Sequence, residues 1–147
     1  MTAPIREQIL SALVSQLGNI SGITGLSIDR NKNAQVQKFP ALIVLDGDQT
    51  SDPGTAYGNT LYSMNVNVEG YVQSSSAAAT GTDLNMLYGQ VVQTIMQDVT
   101  LGGICIDIIE GEMLTNIDRS EGQQPVAAFS VTFAVKYFTA SGDPFHF

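Results

Sequence analysis

Apolar residues recur along this chain at two different periods, and the change of period marks out its elements. Ile5, Ile9, Leu13 and Leu17 fall four apart with Leu10 beside them, which predicts a helix that Thr2 caps, whose first turn accommodates Pro4, and that Gly18 and Asn19 end. Ile23 to Arg30 reads as a short strand with Leu26 and Ile28 on one face, and Asn31 to Lys38 as a polar loop. Phe39-Pro40-Ala41-Leu42-Ile43-Val44-Leu45 is a continuous apolar run entered through a proline, the pattern of a strand covered on both faces or seated centrally. It stops at Asp46-Gly47-Asp48. From there to Asn59 the residues show no period, so a long exposed connection is expected.

Between Thr60 and Val72 the alternation is clear: Tyr62, Met64, Val66 and Val68 on one side, Ser63, Asn65, Asn67 and Glu69 on the other. Ser74 to Gly81 is low in complexity and reads as a flexible connection. The stretches Gln73–Gly81 and Asp46–Asn59 are expected to be mobile in the free subunit and ordered by neighbours. Thr82 or Asp83 then opens a second helix with Leu84, Leu87, Tyr88, Val91, Ile95 and Val99 in one stripe, broken at Leu101-Gly102-Gly103. Strands are predicted at Ile104 to Ile109, around Met113 to Ile117 and at Ala127 to Phe138, followed by a turn-rich tail from Thr139. This order predicts a single α+β domain, a mainly antiparallel sheet with two helices packed on it, and 147 residues suffice for one such core.

Composition adds a reason to expect partners. Only 14% of residues are charged, against about 25% in an average soluble chain, so part of the surface is expected to be covered in an assembly. Fourteen acids against six bases give a formal charge of -8, a balance that repels nucleic acid and anionic membrane. No basic residue stands between Lys38 and Arg119, while Asp46, Asp48, Asp52, Glu69, Glu110, Glu112 and Asp118 all fall there. Either one face is strongly negative or a basic partner covers it. No apolar run approaches the 18 residues of a membrane span and the start lacks the pattern of a secretory signal, so a soluble protein made in a cytoplasm is expected.

Catalytic chemistry finds little to work with. His146 is the single histidine, which excludes a histidine triad or two-histidine metal site within one chain; it is expected to be a disordered or partner-facing tip. Asp46, Asp48 and Asp52 have the oxygen-rich look of a calcium loop, but Ser51 and Tyr57 stand where that loop needs Gly and Glu, so an acidic turn is the better reading. Glu110 and Glu112 would share a face on a regular strand, and nothing apolar or cationic in sequence marks them out from solvated acids. Gly102-Gly103 follows a helix and is a stop signal, not a phosphate cradle. Cys105 has no partner for an intramolecular disulfide and reads as a buried thiol. No catalytic residue, metal or cofactor is expected, and the protein reads as a non-enzyme.

The order of elements resembles the tail-terminator, or tail-completion, proteins of long-tailed phages. The resemblance rests on Ile5-Arg6-Glu7-Gln8-Ile9-Leu10, Phe39-Pro40-Ala41-Leu42-Ile43-Val44, the alternating strand at Tyr62 to Val68, Asp98-Val99-Thr100-Leu101-Gly102-Gly103, and Phe133-Ala134-Val135-Lys136-Tyr137-Phe138-Thr139 before Gly142-Asp143-Pro144. It spans nearly the whole chain. It implies a virion tail protein assembled in the host cytoplasm as a homo-oligomer, a hexameric ring that caps the tail tube, arrests its growth and docks a head–tail connector or neck protein. DNA would pass through without specific binding, and some of Asp46, Asp48, Asp52, Glu69, Glu110, Glu112 and Asp118 are expected to line the lumen, the alternative being an outer surface where they serve solubility or dock basic patches of the tube or neck. Another neck or tail-tube subunit, or a small oligomeric enzyme with an intersubunit site, are the alternatives.

Overall fold

The four-residue spacing at the start becomes helix α1 (Ile5–Leu17), with Ile5, Ile9, Leu10, Leu13 and Leu17 buried. Pro4 occupies its N-cap position with no side-chain cap. Thr2, expected there, lies outside the described residues. This computed structural model describes residues 3–32, 36–56, 58–118 and 124–147, the side chains of 53–56 and 118 excepted. Strand β1 is shorter than expected, Ser27–Arg30 only. Gly25 just before it has a φ of 74°, a left-handed turn that breaks extension, so Ile23 and Leu26 pack on the core without pairing.

Strand β2 (Ala41–Ala56) lies between β1, to which it runs parallel, and the antiparallel strand β3 (Asn59–Gln73). Ala41, Leu42, Ile43 and Val44 are all buried, as a strand covered on both faces requires. Leu42 and Val44 join the main core, while Ala41 and Ile43 sit beneath Val36, Gln37 and Lys38 on the other face. The long connection expected from Asp46 to Asn59 is instead the outer half of this strand and a hairpin into β3. Between the pairs Asp46↔Val66 and Gln49↔Met64 the strand holds one extra residue, so Gly47 and Asp48 form a bulge that keeps the pairing going past a sequence that looks like a turn. Glycine is required there, because a β-carbon at 47 would overlap the Asn65 carbonyl.

Helix α2 (Ala77–Met96) also begins earlier than the apolar stripe suggests. Ser76 caps it, accepting the Ala79 N–H at 3.1 Å, and the three alanines that follow are strong helix formers, so the expected flexible connection shrinks to Ser74 and Ser75. Leu84, Leu87, Val91 and Ile95 are buried, and a 3₁₀ turn at Leu101–Gly103 follows. The two strands expected at Ile104–Ile109 and Met113–Ile117 are one, β4 (Asp107–Asp118), carrying a second bulge at Gly111 and Glu112. The predicted alternation in the final strand, β5 (Val126–Ala140), is met: Phe129, Val131, Phe133, Val135 and Tyr137 are buried.

The sheet order is β1-β2-β3-β5-β4. Only β1 and β2 are parallel, and the two helices share one hydrophobic core with the inner sheet face, a single α+β domain as the pattern predicted. β3 and β5 form the centre through 15 paired residues with no irregularity. The edges are unequal: β1 has four residues and β4 has twelve.

Candidate functional site

The most connected charged group lies where α1, β1 and β2 meet. Arg30 donates from Nε and Nη2 to the two carboxylate oxygens of Asp46 at 2.9 and 2.7 Å, and from Nη1 and Nη2 to Glu7 at 2.7 and 2.9 Å. The Asp46 backbone N–H donates to Asn31 Oδ1 at 2.9 Å. The guanidinium is held further above its ordinary range by Asp46 and then Glu7, and both carboxyls are pulled below theirs by hydrogen bonds from Arg30. Next door Arg6 donates to the Gly47 carbonyl at 2.6 Å and to Gln49 Oε1 at 2.9 Å, and Gln49 Oε1 accepts from Tyr137 at 2.8 Å. This cluster latches the first turn of α1 onto the β2 bulge. Asp46 is therefore a structural anchor with its charge satisfied inside the subunit.

The other acids do not converge. Asp48 is exposed in the bulge, and Asp52, opposite Leu61, sits on the sheet face away from the helices, the opposite face from Asp46. Among the described residues these three acids do not come together as a calcium loop requires. Glu69 is on the outer face in mid-sheet and accepts from Tyr71 at 3.1 Å. Glu110 pairs with Phe133 on the helix side, where it accepts from Tyr88 at 2.9 Å, whereas the extra residue at the bulge puts Gly111 and Glu112 together opposite Thr132. The face that Glu110 and Glu112 would share on a regular strand is thus lost. The Asp118 side chain lies outside the described residues.

Nor do the remaining reactive groups assemble a site. Cys105 is buried, donates to the Val99 carbonyl at 3.2 Å, and burial pushes its thiol up to about 11, so it is inert. His146 is not a disordered tip: its Nδ1 lies 2.7 Å from Asp143, its carbonyl accepts the Ala140 N–H, and Pro144 accepts the Ile5 N–H, tying the tail to α1. A cavity of about 560 Å³ lies between the Ser21–Thr24 loop, Pro40, the end of β3 and α2, with Ile23, Val72, Met86 and Leu87 among its lining. Its one titratable lining residue, Asp83, is bonded to Ser74, so the cavity offers no acid–base pair. Among the described residues no helix is long and apolar enough to cross a membrane.

What stands out is the edge formed by β4. Among the described residues seven large apolar side chains are exposed, and four of them, Ile106, Ile109, Leu114 and Ile117, lie on or just before this strand. Its acids Asp107, Glu110, Glu112 and Asp118 are interleaved with them, and the strand has no basic residue. The position of β4 outside β5, at the rim of the sheet, is what leaves these side chains facing water. No protein-family model matches the chain, and no curated protein is detectably similar to it.

Proposed function

We propose that this chain is a non-catalytic structural subunit of a long-tailed phage tail, of the tail-terminator type, resident in the virion tail after assembly in the host cytoplasm. Six copies form a ring that caps the tail tube, stops its polymerisation and presents a docking surface to the connector or neck. The observation that carries this reading is the β4 edge. A monomer that leaves Ile109 47% and Leu114 60% exposed on a twelve-residue open strand carries a surface suited to a protein neighbour. The net charge of -8 suits a wall past which DNA moves without being held. The acids are scattered over several surfaces, as befits docking and lumen contacts more than one reactive centre.

Negative-stain images of the purified protein with and without tail tubes test the reading. The expected result is a ring, or added density at one tube end, with tube length fixed once the protein is present. Tubes that keep growing, with no density at either end, would sink it.

A further inference from the structure

The two edges of the sheet differ in charge as well as length. On the outer face of β4 the bulge puts Glu112 between Ile109 and Leu114, an acid flanked by two exposed apolar side chains. At the far side of the same sheet, and on the same face, lies a groove of about 310 Å³ bordered by Ser27 and Asp29 of β1 and by Val36 and Gln37, above the buried Ala41 and Ile43 of β2. Lys32 and Lys38 stand at its rim, half of the four basic residues that precede β2. The other two, Arg6 and Arg30, are consumed by the α1 latch. Among the described residues Lys32 makes an exposed contact with Asp29 at 3.6 Å, weak enough to be exchanged.

We infer that a second copy of this chain occupies the β4 edge: Glu112, with Ile109 and Leu114, seats in the Lys32–Lys38 groove beside β1 of the next copy. Charge decides the geometry. Pairing β4 with β4 about a twofold axis would set acids against acids, in a strand with no base to relieve them. Pairing β4 with the β1 side matches opposite charges and sets Ile109 and Leu114 against Val36 at the groove wall. Such a contact is head-to-tail: each copy offers one edge and receives the other, which propagates around a closed ring. The Gly111–Glu112 bulge then has a purpose beyond protecting an open edge, since it projects the one carboxylate that the groove receives. The inference rests on the ring reading above and names the surfaces that close it.

Charge reversal with mixing tests it. One variant carries Glu112→Lys; the other carries Lys32→Glu and Lys38→Glu, and circular dichroism and thermal melting confirm that both fold. Association is followed by light scattering of the full chain up to millimolar concentration, and capping by electron microscopy with tail tubes. Each variant alone is expected to associate at least ~10-fold more weakly than the natural chain, because like charges then meet at every contact. An equal mixture recovers rings of alternating copies. If either variant assembles and caps tubes as the natural chain does, the edge pairing is wrong while the tail reading stands. Recovery of dimers only, on mixing, points to β4–β4 contact and also overturns it. A natural chain that stays monomeric both free and with tubes removes the edge pairing and the ring together. Rings that obey the mixing rule but ignore tube ends uphold the pairing and reject the tail function.

Discussion

The Phe129 ring lies directly over the backbone of Gly70, its partner across the centre of the sheet. A β-carbon at 70 would fall within the ring's van der Waals surface, so the missing side chain on β3 is the space that the aromatic ring on β5 fills. Tyr88 meets the same ring edge-on at 5.7 Å, which makes this pair the point where α2 registers on the sheet. Gly70→Ala is expected to cost about 1–3 kcal/mol in urea unfolding as an overpacked core. Adding Phe129→Leu should make the double variant less unstable than the sum of the two single losses; strict additivity would show that the ring and the glycine are not coupled.

The Arg30 latch makes stability depend on pH with a defined sign. Glu7 and Asp46 titrate below their ordinary values in the folded chain, and at about 4.3 and 3.9 once unfolded. On acidification the unfolded chain takes up protons first. The stabilisation is therefore complete above about pH 5 and is lost as pH falls through the folded values. Arg30→Met should lower stability at pH 7 by about 1–3 kcal/mol, towards the lower end because the Glu7 side chain is 43% exposed. The difference from the natural chain should shrink as pH falls below about 5. Denaturation curves at several pH values check this, and parallel pH profiles would contradict it.

Ser76 caps α2 with the one side-chain bond at that end to a first-turn N–H. Ser76→Ala is expected to cost about 1 kcal/mol, and Ser76→Asp to cost nothing or to add stability, since a carboxylate there also meets the positive end of the helix. Thermal melts of the three proteins measure it. Equal melting temperatures for all three would mean that packing alone sets where α2 begins.

Asp48 and Asp52 stand exposed on the β2–β3 hairpin, apart from the β4 edge, and are the acids best placed to meet something other than a neighbouring β4. Reversing both to lysine should leave ring formation intact. If they face the lumen, DNA leaves the particle more slowly, and more so at low salt than at high. If instead capped tails are lost while the few particles formed eject normally, these acids are docking residues.

The fold was legible wherever one face of an element is dry. The Ile5–Leu17 spacing and the Phe129–Tyr137 alternation follow from periods of 3.6 and 2, and the apolar run at Ala41–Val44 announced a doubly covered strand. It was illegible where the sheet tolerates irregularity. Asp46-Gly47-Asp48 and Gly111-Glu112 carry turn chemistry, and local pattern cannot tell a turn from a bulge whose partner strand lies elsewhere in the sequence. The α2 start was hidden because serine and alanine repeats resemble a linker in composition while Ser76 caps in fact. The acids could be named but not sorted. Arg30 lies 16 residues from Asp46 and Tyr88 lies 22 from Glu110, separations that no motif spans.

The unbroken pairing of β3 with β5 also fixes when the protein can become itself during synthesis. Gln73 and its partner Val126 are more than fifty residues apart, and the rest of the pairing spans still longer loops. Among the elements described, β5 leaves the ribosome after all the others, and it is the strand that joins β4 to the β1–β2–β3 half. Until β5 is made, the side of β3 that it pairs along its whole length has no strand beside it. An unpaired strand edge is a template for aggregation, so the abundance of the chain in a cell is expected to depend on how fast β5 docks as well as on the stability that follows.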